Sequence, residues 1–237
     1  MIKLIDLLKE ENILVPRRSK EERSKNQVVA IQKQIQQYMK DGSKGDLNLS
    51  NTPIVSLPDG LKVGGNLNLS NTPIVSLPDG LEVGGDIGAA YSKLTSLPND
   101  LKVKGDLGLN GTPITSLPNN LKVGGDLNLS YTLIITSLPN GLDIRGDLKL
   151  YHSKITSLPN GLKVGGDLTL YHSKITSLPN GLKVGGDIRA MDTLITSLPN
   201  NLKVEGDLWL RDTPISKKYT KEQIKQMVPG VKGEIYL

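Results

Sequence analysis

A phrase of about 20 residues recurs along most of the chain, and it constrains the fold more than any other feature. Its most regular part, Ser-Leu-Pro, begins at Ser56, Ser76, Ser96, Ser116, Ser137, Ser157, Ser177 and Ser197, with one step of 21 residues and otherwise steps of 20. So short a unit holds too few apolar residues to close a core of its own. Copies must therefore stack on one another to bury them.

The phrase V-G-G-N-L-N-L that ends at Leu69 predicts the strand of the repeat. Its apolar residues alternate with polar ones, which is typical of a strand with one buried face. Val63, Leu67 and Leu69 are expected to point inward, and Asn66 and Asn68 outward. The whole phrase is expected to form one strand, and the nine or ten copies predict about ten coils. The extra residue near 133–135 predicts a bulge.

Residues 47–58 read L-N-L-S-N-T-P-I-V-S-L-P. This phrase and its copies resemble the L-x-L-x-x-[N/T]-x-L-x-x-L-P pattern of leucine-rich-repeat proteins of the short, 20-residue bacterial or phage type. The resemblance covers about 45–215, and it implies a right-handed parallel β-solenoid that binds other proteins on its concave strand face. One departure is that hydroxyl residues replace the usual asparagine, which suggests a hydroxyl ladder between coils: Thr52, Thr72, Ser92, Thr112, Thr132, Ser153, Ser173, Thr193 and Thr213.

An open stack needs capping elements at both ends, so three segments are predicted. Residues 1–44 form a basic arm and a helical cap, 45–215 the solenoid, and 216–237 a C-terminal cap of one helix over 219–227 and a final strand. The N-terminal helix is expected over 19–41, with Ser19 as N-cap and Glu22 three residues later. Its apolar stripe is formed by Val28, Ile31, Ile35, Tyr38 and Met39. A shorter helix is expected over 2–12.

The charge distribution argues against nucleic acid as a partner. The net charge of +5 comes from the two ends, because Lys and Arg exceed Asp and Glu by four in 1–44 and by three in 216–237. The long middle segment has a net charge of −2, so no basic groove is expected along it. The N-terminus lacks the features of a secretory signal and no apolar run could span a membrane. A cytoplasmic protein, or a virion protein if the chain is phage-encoded, is expected.

Neither catalysis nor a cofactor is predicted. The chain has no cysteine, which excludes thiol nucleophiles and disulfides. An acid follows the glycine of most repeats, at Asp46, Asp86, Asp106, Asp126, Asp147, Asp167, Asp187 and Asp207. Each is expected to accept a backbone amide or to meet a lysine of a neighbouring coil, since one acid per unit is too few for a calcium row. His152 and His172 are interpreted as exposed copies of one position, because no third metal ligand repeats with them.

The outward positions that vary between repeats indicate a candidate binding surface. In the first repeats they hold small neutral residues, whereas the later ones hold Lys149, Tyr151, Thr169, Tyr171, Arg189, Met191, Trp209 and Arg211. Tyr, Trp, Arg and Met are enriched in protein-binding hot spots.

The function predicted on this basis is that of a non-catalytic protein-interaction module that presents a rigid strand face. The partner is expected to be another protein, with self-association left open. One alternative is a structural component of a larger assembly such as a phage virion, docked through the basic arm and the caps. Another is glycan binding through Tyr151, Tyr171 and Trp209.

Overall fold

Each repeat contributes two strands of two residues, and the copies of each strand stack into their own parallel sheet. The structure, a computed structural model, describes residues 19–237. Sheet A contains ten strands: β1 (Leu47–Asn48), β3 (Leu67–Asn68), β5 (Ile87–Gly88), β7 (Leu107–Gly108), β9 (Leu127–Asn128), β11 (Leu148–Lys149), β13 (Leu168–Thr169), β15 (Ile188–Arg189), β17 (Leu208–Trp209) and β18 (Ile235–Tyr236).

Sheet B contains the other eight strands: β2 (Lys62–Val63), β4 (Glu82–Val83), β6 (Lys102–Val103), β8 (Lys122–Val123), β10 (Asp143–Ile144), β12 (Lys163–Val164), β14 (Lys183–Val184) and β16 (Lys203–Val204). Eight coils therefore carry a strand in each sheet, and β17 and β18 extend sheet A beyond them. The described residues form a parallel β-solenoid, as the repeat predicted.

The prediction of one continuous strand per repeat is wrong. Between β2 and β3 the chain bends at Gly64 and Gly65, so Val63 belongs to sheet B and Leu67 to sheet A. The inward alternation is nevertheless confirmed, because Val63, Leu67 and Leu69 are buried while Asn66 stays exposed. The bend therefore leaves the apolar side chains of both strands facing the core.

The extra residue between Thr132 and Ile135 is absorbed at the surface. Leu133 and Ile134 are more than half exposed. On either side of them the register is kept, so that Leu127 lies opposite Leu148 in sheet A. The predicted irregularity is thus an outward excursion that leaves the stacked core undisturbed.

The hydroxyl column does not form a ladder between coils. The Oγ1 atom of Thr112 donates to the carbonyl of Leu109 in the same coil at 2.6 Å. The other threonines of the column each donate in the same way to the carbonyl three residues earlier: Thr52, Thr72, Thr132, Thr193 and Thr213. Among the described residues, the buried hydroxyls of Ser153 and Ser173 have no hydrogen-bond partner. The threonine side chains therefore close a turn within their own coils, and other groups connect one coil to the next.

The N-terminal helix covers the first coil, as predicted. α1 (Lys20–Lys40) starts at a capping box formed by Ser19 and Glu22. Ile31 and Ile35 are buried against the core, and the hydroxyl of Tyr38 donates to the carbonyl of Gly45 at 2.7 Å. The basic arm and the helix expected over 2–12 lie outside the described residues.

The C-terminal cap has two short helices where one was predicted. α2 (Pro214–Lys218) starts at Thr213, and after a break at Tyr219 α3 (Lys221–Met227) starts at Thr220. Each helix begins with a capping box, so the backbone amides at the break are satisfied. β18 then pairs with β17. No helix in residues 19–237 is both long and apolar enough to cross a membrane.

Candidate binding surface

The structure brings the eight candidate residues together along the second half of sheet A. Lys149, Thr169, Arg189 and Trp209 are consecutive in-register neighbours on its outward side. Tyr151, Tyr171, Met191 and Arg211 follow two residues after each of them, at the turn that leaves the sheet. Arg211 is exposed and the other seven are half-buried. The surface is thus continuous over four coils.

Aromatic rings of three adjacent coils stack on one another beside the sheet. The rings of Tyr151 and Tyr171 are nearly parallel with centroids 5.3 Å apart, and Tyr131 meets Tyr151 edge-on at 5.2 Å. His152 and His172 stack on each other at 4.7 Å, and each also contacts the tyrosine that precedes it. We call these five residues the aromatic ladder.

Tyr131, His152 and His172 have a left-handed backbone conformation, which is rare for residues other than glycine. Tyr131, His152 and His172 have φ angles of 59°, 52° and 55°, where other coils place Asn51 or Gly111. A left-handed backbone costs about 1–2 kcal/mol for an ordinary L-residue. The rings are held there in mutual contact, so the interpretation of the histidines as incidental copies missed their place in the ladder. Aligning position 131 with 152 across the inserted residue would have revealed it.

Trp209 is covered on one side by a residue of the C-terminal cap. Tyr236 lies opposite it in register, and the two rings stack with centroids 3.8 Å apart and planes 13° apart. The Nε1 atom of Trp209 is buried and has no hydrogen-bond partner among the described residues. The contact was missed in the sequence, although aligning the closing V-K-G-E-I-Y-L with 204–210 places residue 236 beside 209.

Asp and Asn side chains connect the coils on the same sheet. The Oδ1 atom of Asp106 accepts the backbone N–H of Asp126 at 2.8 Å, and the same bond joins every neighbouring pair in the column. We call this column the Asp ladder: Asp46, Asn66, Asp86, Asp106, Asp126, Asp147, Asp167, Asp187 and Asp207. The predicted bonding to backbone amides is confirmed. The lysines four residues before these acids, such as Lys102 and Lys122, do not contribute, because they lie in sheet B.

Two candidate residues make ion pairs with four acids of the Asp ladder. The Nζ atom of Lys149 lies 2.6 Å from Asp126 Oδ2 and 3.5 Å from Asp147 Oδ2. Arg189 bridges Asp167 and Asp187 in the same way. Burial alone would raise the pKa of Asp126, but hydrogen bonds from Lys149 and from the Asp147 amide lower it overall. The pKa of Lys149 is raised, chiefly by its hydrogen bond to Asp126. Both cations therefore stabilise the surface itself.

No protein-family model matches the chain, and no curated protein matches it. Among solved structures, a leucine-rich-repeat protein of Leptospira interrogans is similar at 22% identity with a TM-score of 0.40. The match covers 79% of this chain and 59% of that protein, so the chain spans about three fifths of its length.

Residues 19–237 contain no group of three or more His, Asp or Glu side chains that could hold a metal ion. The stacked pair His152 and His172 accordingly has no third ligand in the described part of the chain. The arrangement offers rings, two bridged cations and a rigid backbone.

Replacing Asp106 by alanine is expected to destabilise the solenoid by about 0.5–1.5 kcal/mol, because the amide of Asp126 loses its acceptor. Asp106→Asn is the matched control, since Asn66 fills the same role in the wild-type chain through its own Oδ1. Urea unfolding followed by circular dichroism measures both. Equal losses in the two variants would show that charge, rather than the hydrogen bond, matters at this position.

The ion pair of Asp126 predicts a pH dependence. Its folded-state pKa lies below the ordinary 3.8, so its contribution to stability is present above that value and is lost as the pH falls through the lowered pKa. The difference in unfolding free energy between wild type and Asp126→Asn is therefore expected to stay constant down to about pH 4 and to shrink below it. For Lys149, whose pKa is raised, the contribution is lost only as the pH rises beyond 10.5. A difference that does not change between pH 5 and pH 2 would contradict the assignment.

Proposed function

We propose that this chain is a non-catalytic protein-interaction module of the short bacterial or phage leucine-rich type, and that the second half of sheet A binds its partner. The observation that carries the proposal is the aromatic ladder together with Trp209. Large rings concentrate here, while the same columns in the first coils hold Asn48, Gly88 and Ser50. Tyr, Trp and Arg supply most of the binding energy in protein interfaces.

Rigidity supports the same function. The rings of Tyr131, Tyr151 and Tyr171 contact one another from coil to coil, and the strands beneath are joined by backbone hydrogen bonds and by the Asp ladder. A partner therefore meets side chains that are already ordered, so that little conformational entropy is lost on binding. Lys149 and Arg189 add to this order, since their charged ends are already bound to acids.

A glycan is the less favoured ligand. Sugars bind aromatic residues by lying flat on an open ring face, but Tyr151 and Tyr171 turn their faces toward each other. One face of Trp209 is likewise covered by Tyr236. Fewer ring faces are therefore open to a sugar, whereas tyrosine combines an apolar ring with a hydroxyl group and so suits a protein surface with matching groups.

The test compares Tyr151→Ser/Tyr171→Ser with wild type. Serine is the residue that the column carries at Ser50 and Ser70, so the variant is expected to fold. A partner identified by capture and mass spectrometry is purified, and its Kd is measured by calorimetry. We expect the double variant to bind at least about 30-fold more weakly, since one hot-spot residue contributes 2 kcal/mol or more.

The matched control is Tyr91→Asn, which removes an exposed tyrosine outside the ladder and introduces the residue found at Asn51 and Asn71. It is expected to bind like wild type. Equal affinity of the double variant and wild type would refute the proposed surface. Fixed-stoichiometry oligomers that form without any partner would favour the assembly alternative instead.

A further inference from the structure

The corner that follows Ser-Leu-Pro has the same sequence in three consecutive coils. The hexapeptide S-L-P-N-G-L occurs at residues 137–142, 157–162 and 177–182. Its glycine has a positive φ in each coil, 72° at Gly141, 70° at Gly161 and 71° at Gly181, so the backbone turns alike. Its asparagine is exposed in each coil: Asn140, Asn160 and Asn180. Neither the local sequence nor the exposure of the asparagine therefore distinguishes the three corners.

An asparagine that precedes a glycine can modify itself. The glycine backbone nitrogen attacks the asparagine Cγ atom, so that a C–N bond forms and the side-chain amide group leaves as ammonia, which takes up the proton of the glycine N–H. Water then opens the cyclic imide at either carbonyl and leaves aspartate or isoaspartate. Glycine favours this reaction because it has no Cβ atom to shield its nitrogen. The attack requires a glycine N–H that is free to lose its proton.

Hydrogen bonding of the glycine N–H distinguishes the three corners. The N–H of Gly161 donates to the carbonyl of Asn180 at 2.8 Å, and the N–H of Gly181 donates to Asn201 Oδ1 at 3.0 Å. Within residues 19–237 the N–H of Gly141 has no acceptor. A nitrogen whose proton is held by an acceptor must give up that bond before it attacks. Gly141 is therefore the most reactive of the three glycines.

The turn around Gly141 is also the least constrained of the three. In the other two coils the leucine N–H donates to the carbonyl of the proline three residues earlier: Leu162 to Pro159 at 3.3 Å, and Leu182 to Pro179 at 3.4 Å. In the described part of the chain no such bond joins Leu142 to Pro139. The peptide between Asn140 and Gly141 is therefore freer to rotate into the geometry that the attack needs.

We propose that Asn140 is a site of spontaneous deamidation to aspartate and isoaspartate, and that the fold protects Asn160 and Asn180 from the same reaction. The proposal rests on identical hexapeptides whose glycine nitrogens differ in hydrogen bonding. The site lies at the corner that leads into β10 of sheet B. It is therefore independent of the protein-binding surface proposed for sheet A.

The two products differ in their effect on the coil. An aspartate is compatible with this corner, because the first two coils already hold Asp59 and Asp79 there. Isoaspartate routes the main chain through its side-chain carbon, so the path between the buried Leu138 and Leu142 becomes longer by one atom. We therefore expect the isoaspartate form to unfold at a lower urea concentration than Asn140→Asp. Equal midpoints would contradict this loosening of the coil.

The experiment incubates the folded protein at mildly alkaline pH and follows deamidation by mass spectrometry. Cleavage before aspartate separates the three sites, because it places them in peptides of different composition: residues 126–142, 147–166 and 167–186. An aspartate formed at position 140 is itself cleaved, whereas isoaspartate is not, so the two products are distinguished. We expect Asn140 to react at least about fivefold faster than Asn160 or Asn180, the factor that corresponds to breaking one hydrogen bond first.

The same incubation in urea is the control for local sequence. Unfolding removes the hydrogen bonds that distinguish the corners, so the three asparagines are expected to react at similar rates. Equal rates at the three sites of the folded protein would overturn the inference, as would slower reaction at Asn140 than at the other two. An equally large preference for Asn140 in urea would also overturn it, because the preference would then come from the neighbouring sequence rather than from the fold.

Discussion

Gly125→Ala is expected to lower the free energy of unfolding by about 3 kcal/mol, the upper end of the range for overpacked sites. A Cβ atom at this position would overlap Asp106 Oδ1 and lie 3.0 Å from the Asp106 backbone nitrogen. Neither atom can retreat, because both belong to the hydrogen-bonded ladder that sets the spacing of the coils. Urea unfolding measures the effect through the shift of the transition midpoint.

Two other glycines separate this steric effect from the general cost of replacing glycine. At Gly108 the nearest atom to an added Cβ is 3.8 Å away, so Gly108→Ala is expected to change stability by less than about 0.5 kcal/mol. Gly161 has open space but a φ of +70°, so Gly161→Ala tests the backbone alone and is expected to cost about 1 kcal/mol. Similar effects at positions 125 and 108 would contradict the role assigned to the close approach.

Ile224→Ala is the second substitution for which we expect a large effect. The side chain of Ile224 is fully buried, and it holds α3 over the last coil. Truncating it leaves a cavity beneath the cap, which costs about 2–5 kcal/mol for an isoleucine. Since the cap also protects the open end of the stack, we expect concentration-dependent association near the unfolding midpoint.

Gln226→Ala is the control for the cap, because Gln226 is exposed on the same helix. It is expected to stay within about 0.5 kcal/mol of wild type. Calorimetry at two protein concentrations distinguishes lost stability from end-to-end association. An Ile224→Ala protein as stable and as monomeric as wild type would show that α3 does not cap the stack.

Stacking explains why so much of this fold could be predicted from the repeat. When a unit recurs every 20 residues and copies lie one strand apart, each column of the alignment becomes a column in space. The inward positions of Val63, Leu67 and Leu69 and the amide bonds of the Asp ladder followed from that relation. The capping box of α1 did too, because it depends only on Ser19 and Glu22, which are three residues apart.

Other features depended on the direction in which the backbone turns, which spacing does not specify. The bend at Gly64 and Gly65 divides the predicted strand between two sheets, and only that division separates the lysines from the acids. A net charge counted along the sequence cannot show such a separation, because it assigns no side chain to a face. The two short helices of the C-terminal cap likewise depended on their fit to the last coil.

The candidate surface has features of both kinds, some set by the repeat and some set by the tertiary structure. The sequence by itself determined that Tyr151, Tyr171 and Trp209 share one side of the solenoid, because Tyr151 and Tyr171 occupy one repeat position and Trp209 occupies the outward position two residues before it. Only the tertiary structure decided that the histidine rings join the tyrosines, that Tyr236 covers Trp209 and that Lys149 lies between two acids. Those contacts join residues of different repeat positions, or a repeat and the C-terminal cap. They are determined by side-chain packing in three dimensions rather than by the period of the repeat.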